Sequence, residues 1–235
     1  MPGTSPVILI IGAGANIGAG VARSFATKGY KVALVARKLK ESESTADQLN
    51  ISTDLSDPSN VAGIFAKVKA SLGLPSVVVY NASSVTPNPP NDPLAVSVAD
   101  LTRDLNVTAT SAYVAAQQAL AAFKELPATA SKTFIYTGNI MDEPMIIGPL
   151  LDLGVGKSAA ATFVQFAANA YKDQGIKFYY GDERKADGSA IFKVNGEAHG
   201  KFYLELAEGK SQGPWKQTFV NGASGAKYEK FAASS

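Results

Sequence analysis

The sequence predicts a doubly wound α/β fold, a mostly parallel seven-stranded sheet covered by helices on both faces. Three observations carry that expectation. Short β-branched runs such as VILII, KVALVA and SVVVY are apolar on both faces, as strands inside a parallel sheet are. Segments of one to two dozen residues with apolar positions three and four apart lie between them, so strands and helices alternate. A glycine cluster, IGAGANIG, joins the first strand to the first helix. With right-handed crossovers the expected strand order is 3-2-1-4-5-6-7. Residues 1–235 are expected to form a single domain, with a small insertion at about 182–214 shaping a substrate cleft.

Taken in order, Val7 to Ile11 reads as the first strand and IGAGVARSFATKG as its helix, with Ile17, Val21 and Phe25 on one face and Gly29 closing it. Lys31 to Ala36 is the second strand. KLKESESTADQ is polar enough to support only a short helix, and NISTDL returns the chain to the sheet near Asp54. Asp57 followed by Pro58 signals a helix start, because proline lacks the N–H that a first turn leaves unpaired. Ser76 to Tyr80 is the fourth strand and SSVTPNPPNDP a surface loop. One long helix is expected from about Val98 to Lys124, a fifth strand over Lys132 to Gly138, and a helix from Ser158 to Lys172 ending at Gly175. IKFYYG is the sixth strand. Beyond it DERKADG reads as polar loop, AIFKV as a short extended piece, GEAHGKFYLELAEGK as helical and QTFV as the last strand.

Composition narrows the chemistry. Charged residues make up 18% of the 235 and net charge is +2, with no dense basic run, so no nucleic-acid partner is expected. Zero cysteines exclude disulfides, thiolate metal sites and thiol nucleophiles, and a single histidine, His199, excludes a multi-histidine metal site. The apolar stretch near the start is shorter than a signal peptide's ~7–15 residues, and no run approaches the ~18 of a membrane span. A cytoplasmic protein without membrane contact is expected.

A glycine-rich turn that follows a strand and opens a helix lets backbone amides meet a diphosphate. Gly12 would make the tight turn and Gly18 the close approach of helix to strand. Past Gly18, where an NAD-binding unit carries an acid for the ribose hydroxyls, stands Arg37, with Lys38 and Lys40 nearby. A guanidinium matches a 2′-phosphate bidentately, so NADP(H) is the expected cofactor.

With those pieces placed, the chain resembles the short-chain dehydrogenase/reductase family, a Rossmann fold, over roughly residues 5 to 222. IGAGANIG is similar to the family's TGxxxGxG, with Ile11 for the threonine and Asn16 for the middle glycine. Asp54 and Leu55 match the pair that holds adenine, NAS at Asn81 to Ser83 resembles the NNAG strand end, and Asn106 in LNVTATS matches the family's structural asparagine. The resemblance thus implies cofactor contacts at Gly12, Asn16, Ile17, Gly18, Arg37, Asp54, Leu55, Asn81 and Ala82.

Members of that family usually act on a carbonyl or alcohol with an asparagine, a serine after strand five, and a tyrosine four residues before a lysine. Here the asparagine is Asn106, the serine position corresponds to Asn139, the tyrosine position to Leu153, and the lysine is kept as Lys157. By resemblance Lys157 binds the nicotinamide ribose. Leu153 cannot donate a proton, a contribution typically worth ~10²–10⁴ in rate. Three routes remain: another acid among Asp142, Glu143, Asp152, Tyr179 and Tyr180; a substrate such as an iminium that needs no acid; or no turnover. His199 reads as a packed or helix-surface residue, and Trp215 and Phe219 as core or interface aromatics.

The chain is therefore expected to be an NADPH-dependent oxidoreductase of atypical active site, acting on a small carbonyl, imine or conjugated compound. An NADP(H)-binding sensor or partner-binding subunit without redox catalysis is the alternative, and a non-redox isomerase or cyclase a third. Helices rich in small residues near Asn106 and after Lys157 suggest a homo-dimer or homo-tetramer.

Overall fold

Val7–Ile11 (β1) is buried along its whole length and lies between Lys31–Ala36 (β2) and Val77–Tyr80 (β4), parallel to both. The computed structural model describes residues 5–143, 147–222 and 228–230; the rest of the expected 1–235 unit lies outside the described residues. Gln48–Ser52 (β3), Thr133–Thr137 (β5), Lys177–Arg184 (β6) and Lys216–Asn221 (β7) complete seven parallel strands in the order β3-β2-β1-β4-β5-β6-β7, as expected. A short eighth strand, Tyr228–Lys230 (β8), pairs antiparallel with β7. It carries no apolar run because an edge strand can be held by its backbone alone.

Side chains alternate across the sheet and build two cores. On one face Ile8, Ile10 and Val79 meet Val21 and Phe25 of Ile17–Thr27 (α1) and Phe202 and Tyr203 of Gly196–Glu208 (α6). On the other, Leu9, Val78 and Tyr136 meet Asn60–Ser71 (α2), Ser111–Glu125 (α4) and Leu151–Tyr171 (α5). Strand order reverses at β1 and β4, which opens a crevice at their carboxyl ends, the place where ligands bind in open α/β sheets.

Several boundaries differ from expectation. The long helix over 98–124 is broken into Val98–Leu105 (α3) and α4 by a π-turn, Asn106–Thr110. The Ala-rich helix α5 starts at Leu151 rather than Ser158, so Gly154 and Gly156 lie inside it. They do not break the helix; Gly156 instead lets it press on the π-turn, since a Cβ there would stand 2.7 Å from Thr108 Cγ2. α2 begins at Asn60, not Pro58, because Asp57 Oδ1 accepts the Ser59 N–H at 2.9 Å and closes a separate turn first. The polar segment after strand three's predecessor forms only a 3₁₀ turn, Glu41–Glu43.

The largest difference follows strand six. β6 runs through Asp182, Glu183 and Arg184, all buried, where charge suggested loop. Pairing makes their burial tolerable: Arg184 Nε donates to Asp182 at 2.6 Å and Nη2 to Glu143 at 3.1 Å, while Glu183 accepts the Asn195 N–H at 2.7 Å. Residues 182–214 accordingly begin in the sheet and contain α6, the crossover helix between β6 and β7, rather than an added lobe. AIFKV contributes a single bridge, Ala190 to Arg184. Among the described residues no helix is long and apolar enough to cross a membrane.

Candidate cofactor and active site

The glycine turn is built by its neighbours. Gly12 has φ +94°, a left-handed conformation that side chains resist, and a Cβ there would stand 2.7 Å from Ala82 Cα. The N–H groups of Gly12 and Ala13 both donate to Val35 O at 2.9 Å, and Asn81 Nδ2 donates to Gly12 O at 2.8 Å. The turn is thus tied to the ends of β2 and β4. Gly18, buried in α1, allows the close approach expected of it: a Cβ would lie 2.7 Å from Ala13 Cα. Ile17 begins α1 and packs on the core. The Asn16 side chain donates to Val194 O at 2.9 Å and accepts the Gly196 N–H at 3.0 Å.

A cleft of about 340 Å³ opens beside this turn and brings together Gly12, Arg37, Asp54, Leu55, Asn81 and Ala82. Gly14, Thr53 and Ser84, not singled out from sequence, also line it. Arg37 is exposed, and its guanidinium makes no hydrogen bond or ion pair among the described residues. The Ser56 N–H, 2.9 Å from Asp54 Oδ1, holds that carboxyl below its ordinary range, and the Arg37 charge adds to the effect. Leu55 is buried, and its carbonyl accepts from Ser111 Oγ at 2.7 Å.

The second half of the site lies where β5 and β6 end. Asn106 opens the π-turn and donates from Nδ2 to Ser56 O at 3.0 Å, linking this half to the first. Asn139 follows β5; its N–H donates to the Tyr180 hydroxyl at 3.1 Å, and its Oδ1 accepts the Met141 N–H at 2.9 Å. Its amide nitrogen has no hydrogen bond among the described residues. Lys157 is 5% exposed, and its ammonium donates to Thr137 O at 2.8 Å and stands 4.7 Å above the Tyr136 ring. No carboxylate lies within ion-pair distance of it among the described residues. Burial pulls its pKa down to about 7, against the opposing charge of Asp182. Leu153, one helical turn before it, is half-buried.

Each acid weighed as a substitute for the phenol has protein partners. Asp142 and Glu143 pair with Lys216 at 2.7 Å and 2.5 Å. Tyr180 donates to Asn139 O at 2.9 Å, and Tyr179 donates to Ser211 O at 3.2 Å from the opposite face of the sheet. Asp152 is 1% exposed and accepts the Thr86 N–H at 2.7 Å. It is hydrogen-bonded to Asp104, so burial and the neighbouring charge hold the Asp152 carboxyl above its ordinary range. Burial opposes ionisation of Asp104 as well, yet Ser84, Thr86, Asp152 and Arg103 bring it down to about 2. Through Ser84 and Thr86 these two buried side chains pin the loop after β4 to α3 and to the start of α5.

His199 is a core residue. It is 1% exposed, its Nδ1 lies 2.8 Å from Asn195 O, and its ring meets Tyr203 and Phe219 edge-on. Burial pulls its pKa down to about 4, and it is not among the residues that line the cleft beside the glycine turn. Trp215 and Phe219 pack as expected, the first edge-on to Tyr180.

Sequence reasoning passed over a row of tyrosines. Tyr80, Tyr136 and Tyr180 occupy one register across β4, β5 and β6, and their rings stack at 5.9 Å and 5.6 Å. The signal was present: each is the last bulky residue before Asn81, Gly138 or Gly181.

Residues 6–139 match the short chain dehydrogenase family. Over 231 residues the chain is 46% identical to a short chain dehydrogenase/reductase, dmxR12, of Cryptosporiopsis sp. (strain 8999), covering 93% of each. Among solved structures it is similar to a short-chain dehydrogenase/reductase from Serratia marcescens, with a TM-score of 0.72 at 20% identity over 93% of this chain and 97% of that one. It is also similar to a metagenomic short-chain oxidoreductase in complex with NADP, with a TM-score of 0.75 at 19% identity over 91% and 97%.

Proposed function

The chain belongs to the short-chain dehydrogenase/reductase family of oxidoreductases, and from that premise we propose that it is a cytoplasmic, NADPH-dependent oxidoreductase with a non-standard active site. Its substrate is a small carbonyl, imine or conjugated compound. The observation that carries the proposal is the cleft in which the Gly12 turn, the Asp54 carboxyl and the exposed Arg37 guanidinium converge. Gly12 lines that cleft with main chain alone, and the Arg37 guanidinium makes no hydrogen bond or ion pair among the described residues, so the residues fit a dinucleotide with a 2′-phosphate. The relative solved in complex with NADP supports the same choice.

In this proposal the main chain from Gly12 to Gly18 meets the diphosphate, Arg37 the 2′-phosphate, and Asp54 with Leu55 the adenine end. Lys157 meets the nicotinamide ribose, whose hydroxyls give its buried ammonium further partners. The reduced cofactor supplies hydride when bound. With a carbonyl the amide of Asn139 then donates a hydrogen bond to the oxygen that gains negative charge, as an oxyanion donor does, and water supplies the proton that completes the alcohol. Leu153 supplies no proton, and the nearby acids are engaged in the pairs described above. A substrate whose reduced product needs little help from an acid, such as an imine already protonated in water, suits that arrangement best.

The test is a panel of ketones, imines and conjugated carbonyls mixed with NADPH and followed by absorbance. At least one is expected to be reduced, and the double variant Leu153→Tyr, Asn139→Ser is expected to slow that reaction by more than about tenfold, because it removes the native donor. Tight NADPH binding with no turnover on the whole panel, together with ketone reduction gained by the double variant, would instead make the protein a binder without redox catalysis.

Homo-oligomerisation is part of the same proposal. Between α4 and α5 lies an apolar groove of about 480 Å³ lined by Tyr113, Ala116, Leu120, Phe163 and Phe166, with Phe166 73% exposed. A second copy would cover it. Light scattering should therefore report a dimer or tetramer, and Phe166→Asp should lower the mass to that of one chain. A monomeric wild type would remove this part of the proposal.

A further inference from the structure

A helix that takes up an extra residue in a π-turn leaves main-chain carbonyls without their usual intrahelical partners, and such turns persist where something else satisfies them. Here the partners are phenols rising from the sheet. Tyr80 Oη donates to Val107 O at 2.5 Å and Tyr136 Oη to Thr108 O at 2.8 Å. Both acceptors lie inside the Asn106–Thr110 turn, and both donors are fully buried on adjacent strands in the same register. Thr108 in turn accepts the Ser84 N–H at 3.0 Å through its hydroxyl and presses on Gly156 of α5.

Tyr136 makes a second contact that Tyr80 lacks, since its ring face carries the ammonium of Lys157 at 4.7 Å. That is within the range in which a cation is held by an aromatic face, and the effect is strongest where water is excluded. We propose that Tyr136 is a positioning residue: its hydroxyl fixes the π-turn that presents Asn106, its ring fixes the ammonium of Lys157, and one side chain thereby sets the spacing of the two. Tyr80 supports the turn alone. The functional meaning rests on the catalytic place that the family resemblance implies for Asn106 and on the proposed ribose contact of Lys157, whereas the physical statement concerns only this chain.

The two halves of Tyr136 can be separated. Tyr136→Phe keeps the ring and removes the hydroxyl; Tyr136→Leu removes both. Amide hydrogen exchange of the unliganded protein should rise by about tenfold or more over residues 106–111 in Tyr136→Phe, because a buried carbonyl loses its donor. The Lys157 side-chain titration, followed by NMR on lysine-labelled protein and assigned with Lys157→Met, should stay where it is in that variant. In Tyr136→Leu the same titration should move down by roughly half a unit or more, since the charged form loses its ring. Tyr80→Phe should loosen the turn and leave the lysine unmoved.

NADPH should bind Tyr136→Phe more weakly than wild type, and Tyr136→Leu more weakly again. Unchanged exchange at 106–111 in Tyr136→Phe overturns the proposal. An unmoved Lys157 titration in Tyr136→Leu does so as well. If Tyr136→Leu does not fold, Tyr136→Met, which also removes the ring, takes its place in the titration. Failure of NADPH to bind the wild type would refute the functional proposal, and exchange and titration would still judge this one.

Discussion

Gly12→Val should abolish NADPH binding and cost the fold several kcal/mol. Two penalties add. A β-branched residue at φ +94° is strained by about 1–3 kcal/mol, and a side chain pushed against the backbone of Ala82 adds overpacking of similar size. Relief would require β1 and β4 to part at their carboxyl ends, which is where the cleft lies. Gly14→Ala is the informative control. Nothing lies within 4 Å of a Cβ built there, and its φ is not positive, so the fold should keep its stability. The same methyl would stand where main chain must approach a diphosphate closely, and affinity should fall. Denaturant unfolding and NADPH calorimetry on both variants check the pair. Full binding in Gly12→Val would remove the glycine turn from the account.

Lys157→Met should make the unliganded protein more stable at neutral pH while weakening its hold on the cofactor. The folded state keeps this ammonium at a pKa of about 7, whereas an unfolded lysine titrates near its ordinary 10.5. Between those pH values the unfolded chain binds more protons, so stability rises as pH rises through that window. At about 1.4 kcal/mol per unit the whole span is about 4–5 kcal/mol, all of it a penalty at pH 7 and below. Methionine fills similar volume without a charge to desolvate. Its advantage should be on the order of 2–4 kcal/mol at pH 7 and should shrink toward zero near pH 10. Unfolding free energies measured from pH 6 to 10 test this directly. A methionine variant less stable than wild type at every pH would show that the carbonyl of Thr137 and the ring of Tyr136 already offset the burial of Lys157 in full.

The parts of this molecule that could be read from sequence are those set by local pattern. Strands such as VVVY and TFIYT are short, β-branched and buried on both faces, and their order follows from crossover handedness once the glycine turn marks β1. The residues of the cleft were legible for the same reason, since Gly12, Asp54, Leu55 and Asn81 each lie at or just beyond a strand end and line it together. Features that depend on distant partners were not. Charge in DERK suggests loop until the partners of Arg184 and Glu183 from Glu143 and Asn195 are known. Glycines in LDLGVGK suggest a break until Thr108 is seen against Gly156. Asp104 and Asp152 stand far apart in the chain, and nothing local announces that they meet. Asn16 stands where the family motif has a glycine, and its side chain is held by Val194 and by Gly196 at the start of α6, partners no spacing rule could supply.

The central claim is that the crevice between β1 and β4 holds a nicotinamide dinucleotide carrying a 2′-phosphate against Arg37. Calorimetric titration of the wild-type chain with NADPH and with NADH, repeated on Arg37→Ala, tests it most directly. The expected result is NADPH binding at least about tenfold tighter than NADH, with the difference erased in the variant, as loss of one charge-assisted bidentate contact predicts. Binding of neither dinucleotide, or tighter binding of NADH by the wild type, would contradict it.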